Sequence, residues 1–137
     1  METFPLVGKF ELRALQSAVA LGSLVPISAG AAGILLGPQL VAAAFAAPPD
    51  LDSHFRYLSG LLLAIGFGFA STIPRIATHG RRFRFLTAIV VLGGIGRLVS
   101  LLSIGPPSPV MLAALVMELV VTPALALWQH RVTIAAR

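Results

Sequence analysis

Two charged side chains stand in stretches that are otherwise apolar. Arg97 lies in GGIGRLVSLLSIG, Gly93 to Gly105, and Glu118 lies in the apolar run that contains MEL, Met117 to Leu119. An unpaired charge in the middle of a membrane helix costs ~2.5–3.5 kcal/mol on insertion scales, so such residues pair or serve a site. An arginine of this kind can receive an anionic or polar group, and a glutamate can relay a proton. A second polar cluster is DLDSHFRYLSG, Asp50 to Gly60. His54, Arg56, Tyr57 and Ser59 from this stretch are candidates to line an outward-facing cavity that reaches towards Arg97. Asp50, Asp52 and His54 supply potential metal ligands within five residues. The same residues fit the start of a helix capped by Asp52 or Ser53, with Tyr57 in the interfacial belt, and no metal or other cofactor is expected.

The elements that must position these residues follow from composition. The 137-residue chain is 57% hydrophobic and 11% charged, with a net charge of +5. That is too little charge for the surface of a soluble domain of this size, and the mean hydropathy of +0.93 agrees. Cysteine is absent, which excludes disulfides, thiolate metal sites and cysteine nucleophiles. The basic residues flank apolar segments, which points to membrane topology and anionic lipid rather than nucleic acid.

A bilayer core needs about 20 apolar residues per helix. Four segments meet that length: about 12–36, 53–73, 83–104 and 109–129. Gly37-Pro38, Pro74, Gly105-Pro106-Pro107 and the Ser108-Pro109 start punctuate them. Gln39 to Ala47 reads as a short extra piece at the interface, and Trp128 as an interfacial anchor. Lys9 and Arg13 before an apolar run, with Ala44-Phe45-Ala46 beyond it, resemble a signal peptide. The uncharged run from Ala14 to Pro49 is too long for one, and the segment is expected to stay as an anchor. None of the segments alternates apolar and polar residues as a barrel strand would. The fold class expected is an all-α membrane protein, an antiparallel four-helix transmembrane bundle with short loops, built as a single domain.

Small residues mark packing faces, because apolar helices in lipid associate where backbones can approach closely. Gly22, Pro26, Gly30, Gly33 and Gly37 form one such stripe. Gly60, Ala64, Gly68 and Thr72 form a second, and Ala114, Glu118, Thr122 and Ala126 a third. Gly93, Gly94 and Gly96 thin the helix around Arg97. Arg97 lies about 7 residues, or ~10 Å, before the end of its span, and Glu118 lies ~14 Å after the start of the next. A tight turn joins the two spans, so the two charges can meet.

Several motifs match one family. RALQ at Arg13–Gln16, GxxxGP at Gly33–Pro38, HFRYLSGLLLAIG at His54–Gly66, GGIGRL at Gly93–Leu98, and MEL with the later Pro123 and Trp128 resemble an uncharacterised bacterial family, domain of unknown function 4345. The resemblance covers nearly the whole chain. It implies a small four-span inner-membrane protein and brings no catalytic residues, since the family has no established activity.

The function the sequence favours is a non-catalytic structural or accessory subunit, lying among membrane lipids against a larger complex or its own copies. A transporter component using the Arg97–Glu118 pair is the first alternative. A membrane enzyme acting on a lipid or quinone is the second.

Orientation follows from charge. Lys9 and Arg13 precede span one, Arg75, Arg81, Arg82 and Arg84 lie between spans two and three, and Arg131 and Arg137 follow span four. With four spans all of these fall on one side, which the positive-inside rule makes cytoplasmic along with both termini. His79 to Phe85 reads as a headgroup-contacting loop, and His130 as interfacial. Single cysteines in place of Ser53 and Thr78 are expected to react with an impermeant thiol reagent from opposite faces of intact cells and inverted vesicles. Labelling of both from one face rules this topology out.

Overall fold

The computed structural model describes residues 6–44 and 46–135, and every regular element among them is helical. Phe45 and Arg137, both invoked above, lie outside the described residues. Helix α1 spans Leu6–Leu36, α2 Pro49–Ala70, α3 Gly80–Ile104, α4 Pro109–Val116 and α5 Thr122–Ala135. A π-helical turn, Met117–Val121, joins α4 to α5, so that Pro109–Ala135 forms one continuous membrane-length helix. Four helices are therefore long and apolar enough to cross a membrane.

The helices overrun the apolar segments. Helix α1 begins at Leu6 rather than near 12 and takes in Lys9, Glu11 and Arg13. At 1.5 Å per residue its 31 residues extend about 46 Å, well beyond a ~30 Å hydrocarbon core. Helix α2 starts at Pro49, not Ser53, because a proline at the first helical position costs no hydrogen bond. Pro48 holds the N-cap position there, so neither Asp52 nor Ser53 caps the helix. Ser108 does occupy the N-cap of α4, but its hydroxyl makes no capping bond. Of the extra piece expected at Gln39–Ala47, Gln39 and Leu40 lie in the 3-10 turn Gly37–Leu40, and no regular element covers the described residues between it and α2.

The residues group into two compact units, 17–73 and a second formed by 1–16 with 74–137. In the first unit α1 and α2 form a hairpin in which backbones nearly touch. A Cβ added at Gly30 would lie 2.6 Å from the Leu63 backbone nitrogen and 2.7 Å from the Ser59 carbonyl oxygen. One at Gly66 would lie 2.6 Å from Ile27 Cγ1, and one at Gly33 would collide with the Ser59 side chain. Rising numbers in α1 meet falling numbers in α2, so these two helices run in opposite directions. The α1 stripe works from Pro26 to Gly37, whereas a Cβ at Gly22 would meet nothing within 4 Å. The α2 face differs from the stripe read in the sequence. Ser59, Leu63 and Gly66 approach α1, while Ala64 is exposed and a Cβ at Gly60 would reach only Ile34, at 4.0 Å.

Gly37 closes α1 with φ of 62°, a left-handed conformation that glycine adopts without penalty. Arg56 locks this end. Its Nη1 donates to the Ile34 and Leu35 carbonyls, which the helix terminus leaves without amide partners. Its Nε and Nη2 donate to the two Asp52 carboxylate oxygens at 2.8 and 3.1 Å.

In the second unit α3 packs against the helix formed by α4, the π turn and α5. Gln129, fully buried, donates from Nε2 to the Ile76 carbonyl at 2.8 Å and to Thr133 Oγ1 at 2.9 Å. Thr133 Oγ1 also lies 3.0 Å from the Ala77 carbonyl oxygen, so this pair clasps the turn before α3. Trp128 Nε1 donates to Glu11 Oε1 at 3.1 Å, tying α5 to the first turns of α1.

The hairpin geometry gives a direct contrast. Gly30→Ala is expected to destabilise the protein by ~1–3 kcal/mol through overpacking against backbone that cannot retreat. Gly22→Ala is expected to be near neutral. Denaturant titration in mild detergent, followed by circular dichroism, measures both.

Candidate functional site

The sequence of the fourth span forces an irregularity beside Glu118. Pro123 has no N–H to give the Leu119 carbonyl, and its ring crowds the preceding turn. The helix widens there instead. The Thr122 amide donates five residues back to Met117 O, and Thr122 Oγ1 donates to the same oxygen at 2.7 Å. Inserted π turns of this kind recur at functional sites. Glu118 is carried on this one.

Across from it, Gly94 is buried on α3 and brings the helices together. A Cβ there would lie 2.7 Å from Leu119 Cδ2 and 3.0 Å from Glu118 Cβ. Gly93 and Gly96 face open space, so Gly94 alone of the three creates the close approach. One turn further, Arg97 reaches Glu118. Its Nε lies 3.0 Å from Oε1, to which it donates, and 2.9 Å from Oε2. Oε2 is buried and accepts no hydrogen bond, because the Nε proton is aimed at the other oxygen. The carboxylate is therefore hydrogen-bonded through one oxygen only and meets the guanidinium at the other by charge alone. This is not the two-pronged clamp that arginine can form with a carboxylate.

The rest of the guanidinium is sparsely used. Nη1 lies 3.1 Å from Met111 Sδ, a weak acceptor, and Nη2 makes no hydrogen bond to a described residue. The Arg97 side chain is 38% exposed, against 16% for Glu118. It borders a groove of about 220 Å³ lined also by Ser100, Leu101, Pro107, Met111 and Leu115. The site thus has a buried half, the carboxylate, and an open half, the guanidinium edge. It can hold an acceptor oxygen on the open side.

The residues at the start of α2 separate into two pairs. Arg56 is bound to Asp52 and the end of α1, and Ser59 is buried, donating to Phe55 O at 2.8 Å and pressed against Gly33. His54 and Tyr57 are exposed, with ring centroids 6.3 Å apart and planes tilted by 31°. Asp52 is engaged by Arg56, and among the described residues no three of His, Asp and Glu gather closely enough to hold a metal ion.

Three features escaped the sequence reading. Met111 could have been found, since it precedes Glu118 by seven residues and so shares its face two turns away. The π turn had a signal in Pro123. The Glu11–Trp128 bond joins residues 117 apart and had no local signal.

Helices of this length and hydropathy, with an ion pair held between two of them, define a small multi-pass α-helical membrane protein. The chain belongs to the family described as domain of unknown function (DUF4345), whose model matches residues 14–129. No curated protein and no solved structure matches it significantly.

The contact between Arg97 and Glu118 predicts a thermodynamic coupling. Arg97→Ala and Glu118→Ala are each expected to cost ~1–3 kcal/mol, since each strands the other charge. The double variant is expected to lose clearly less than the sum, by at least ~0.5 kcal/mol. A double-mutant cycle from denaturant titrations in detergent reads this, and strict additivity argues against the contact.

Proposed function

We propose that the protein is a non-catalytic structural or accessory component of a bacterial inner membrane, with both termini cytoplasmic, that associates with a larger membrane complex or with its own copies. The observation that carries this reading is how the buried and half-buried hydroxyls along the helices are spent. Ser23 donates to Val19 O, Ser59 to Phe55 O, Thr72 to Phe69 O, Thr87 to Phe83 O and Thr122 to Met117 O. Each is turned onto its own helix.

A solute path needs groups that can exchange their partners for those of a passing solute. On the half of α3 and α5 away from Arg97, Thr87 and Thr122 are the polar side chains available along Leu86–Leu92 and Val120–Leu127, and both are committed. The Arg97–Glu118 pair then serves chiefly to fix how α3 docks against α4 and α5. Buried ion pairs can act as register devices in this way.

An exchange of the pair for packed apolar side chains tests the reading. Arg97→Met combined with Glu118→Leu is expected to leave a folded, inserted protein that still associates with the same membrane partners, because such replacements are often neutral or stabilising. Expression in a deletion strain, gel filtration for folding, and comparison of copurifying proteins with wild type give the readout. Retained association with lost solute uptake supports the transport alternative instead.

A further inference from the structure

The ion pair leaves chemistry unused, and the unused part faces outward. We infer that the groove beside Arg97 holds the phosphodiester group of a zwitterionic phospholipid in the outer leaflet. The inference uses the orientation proposed above but not the accessory role, and it holds whatever the protein's partners are.

Four observations carry it. The first is donor capacity. Nη2 has no acceptor among the described residues, and Nη1 has only the Met111 thioether at 3.1 Å. A phosphate oxygen is a far stronger acceptor than a thioether, and a guanidinium binds phosphate with two parallel donors.

The second is depth. Arg97 stands seven residues before Ile104, the end of α3, which is ~10 Å along the axis. Nη1 meets Met111, in the first turn of α4, so the free edge of the guanidinium lies on the side of the Gly105–Ser108 turn, towards the layer where lipid phosphates and esters lie.

The third is shape. The groove of about 220 Å³ is open on one side and has room for a phosphodiester with its adjoining glycerol carbons. Ser100 offers a hydroxyl on its rim, and Leu101, Met111 and Leu115 give an apolar wall for the glycerol end.

The fourth is charge, and it selects the lipid. Glu118 lies 2.9 Å from Arg97 Nε and cancels its net charge, so the site draws no anion from a distance. The outward N–H donors remain. A neutral site rich in donors suits a headgroup that is itself neutral overall yet carries phosphate oxygens. A zwitterionic and an anionic headgroup present the same phosphodiester, but in the zwitterionic one a neighbouring ammonium offsets its charge, so binding beside the mutually neutralised Arg97 and Glu118 leaves no net negative charge behind.

The test is native mass spectrometry of the full chain in mild detergent, equilibrated with equal amounts of phosphatidylethanolamine and phosphatidylglycerol. Wild type is expected to retain the zwitterionic lipid preferentially. Loss of a charge-assisted hydrogen bond predicts about tenfold weaker retention in the Arg97→Met, Glu118→Leu double variant. Ser100→Trp, which fills the exposed groove rim and leaves both charges of the pair in place, is expected to weaken retention similarly and keeps the test decisive if the double variant does not fold. Glu118→Gln leaves Arg97 uncompensated and is expected to turn the preference towards phosphatidylglycerol.

Equal retention of both lipids by wild type, unchanged retention in Ser100→Trp, or an unchanged preference in Glu118→Gln overturns the assignment. Full displacement by soluble glycerophosphoethanolamine overturns the lipid as occupant and assigns the groove to a free phosphodiester.

Discussion

Hydrocarbon offers a polar group nothing to bond with, and that constraint governs every polar atom along these four helices. Backbone amides answer it by forming helices, whose hydrogen bonds close within one segment. Hydroxyls answer it by turning back onto carbonyls of the same helix, as Thr72, Thr87 and Thr122 do. Two arginines also reach across to another element. Arg56 finds the bare carbonyls at the end of α1, and Arg97 finds Glu118.

The two hairpins solve the same association problem by different means. Between α1 and α2 the contact is backbone to backbone, made possible by Gly30, Gly33 and Gly66, and directional specificity comes from Arg56 at the connected end. Between α3 and the last helix Gly94 makes the closest approach, with Gly80 against the Gln129 side chain, and the register is set by polar contacts at both ends. Arg97 with Glu118 holds the end near the Gly105–Ser108 turn, and Gln129 with Thr133 holds the other. Dispersion alone discriminates weakly between neighbouring registers of two apolar helices, because each offers similar packing. Hydrogen bonds at fixed positions discriminate strongly.

Proline gives the fourth span its asymmetry. Pro109 starts the helix at no cost, whereas Pro123 lies inside it and forces the π turn. Glu118 rides on that turn, so the irregularity and the charge occupy the same place. The result is a carboxylate with one oxygen bonded and the other buried without a hydrogen bond, facing an arginine whose outer edge is open.

Composition and spacing alone determined that the chain is helical, that it holds four segments long and apolar enough to cross a membrane, and that Arg97 and Glu118 stand at compatible positions in two adjacent ones. These properties depend on segment length, hydropathy and connection length, which are written locally in the chain. The sequence also marked the small residues of α1 that pack. It did not single out Ser59, Leu63 and Gly66 as the α2 residues that approach α1, because Gly60-Ala64-Gly68-Thr72 and Ser59-Leu63-Gly66 are both plausible stripes, and only the partner helix decides between them. The three-dimensional structure alone decided that Arg56 caps α1, that Ser59 is buried beneath Gly33, that Gly94 rather than Gly93 or Gly96 admits the neighbouring helix, and that Glu11 meets Trp128. Each of these depends on the rotation of one helix against another. That rotation is fixed by the sum of many weak contacts along the whole interface, and no short stretch of sequence carries it.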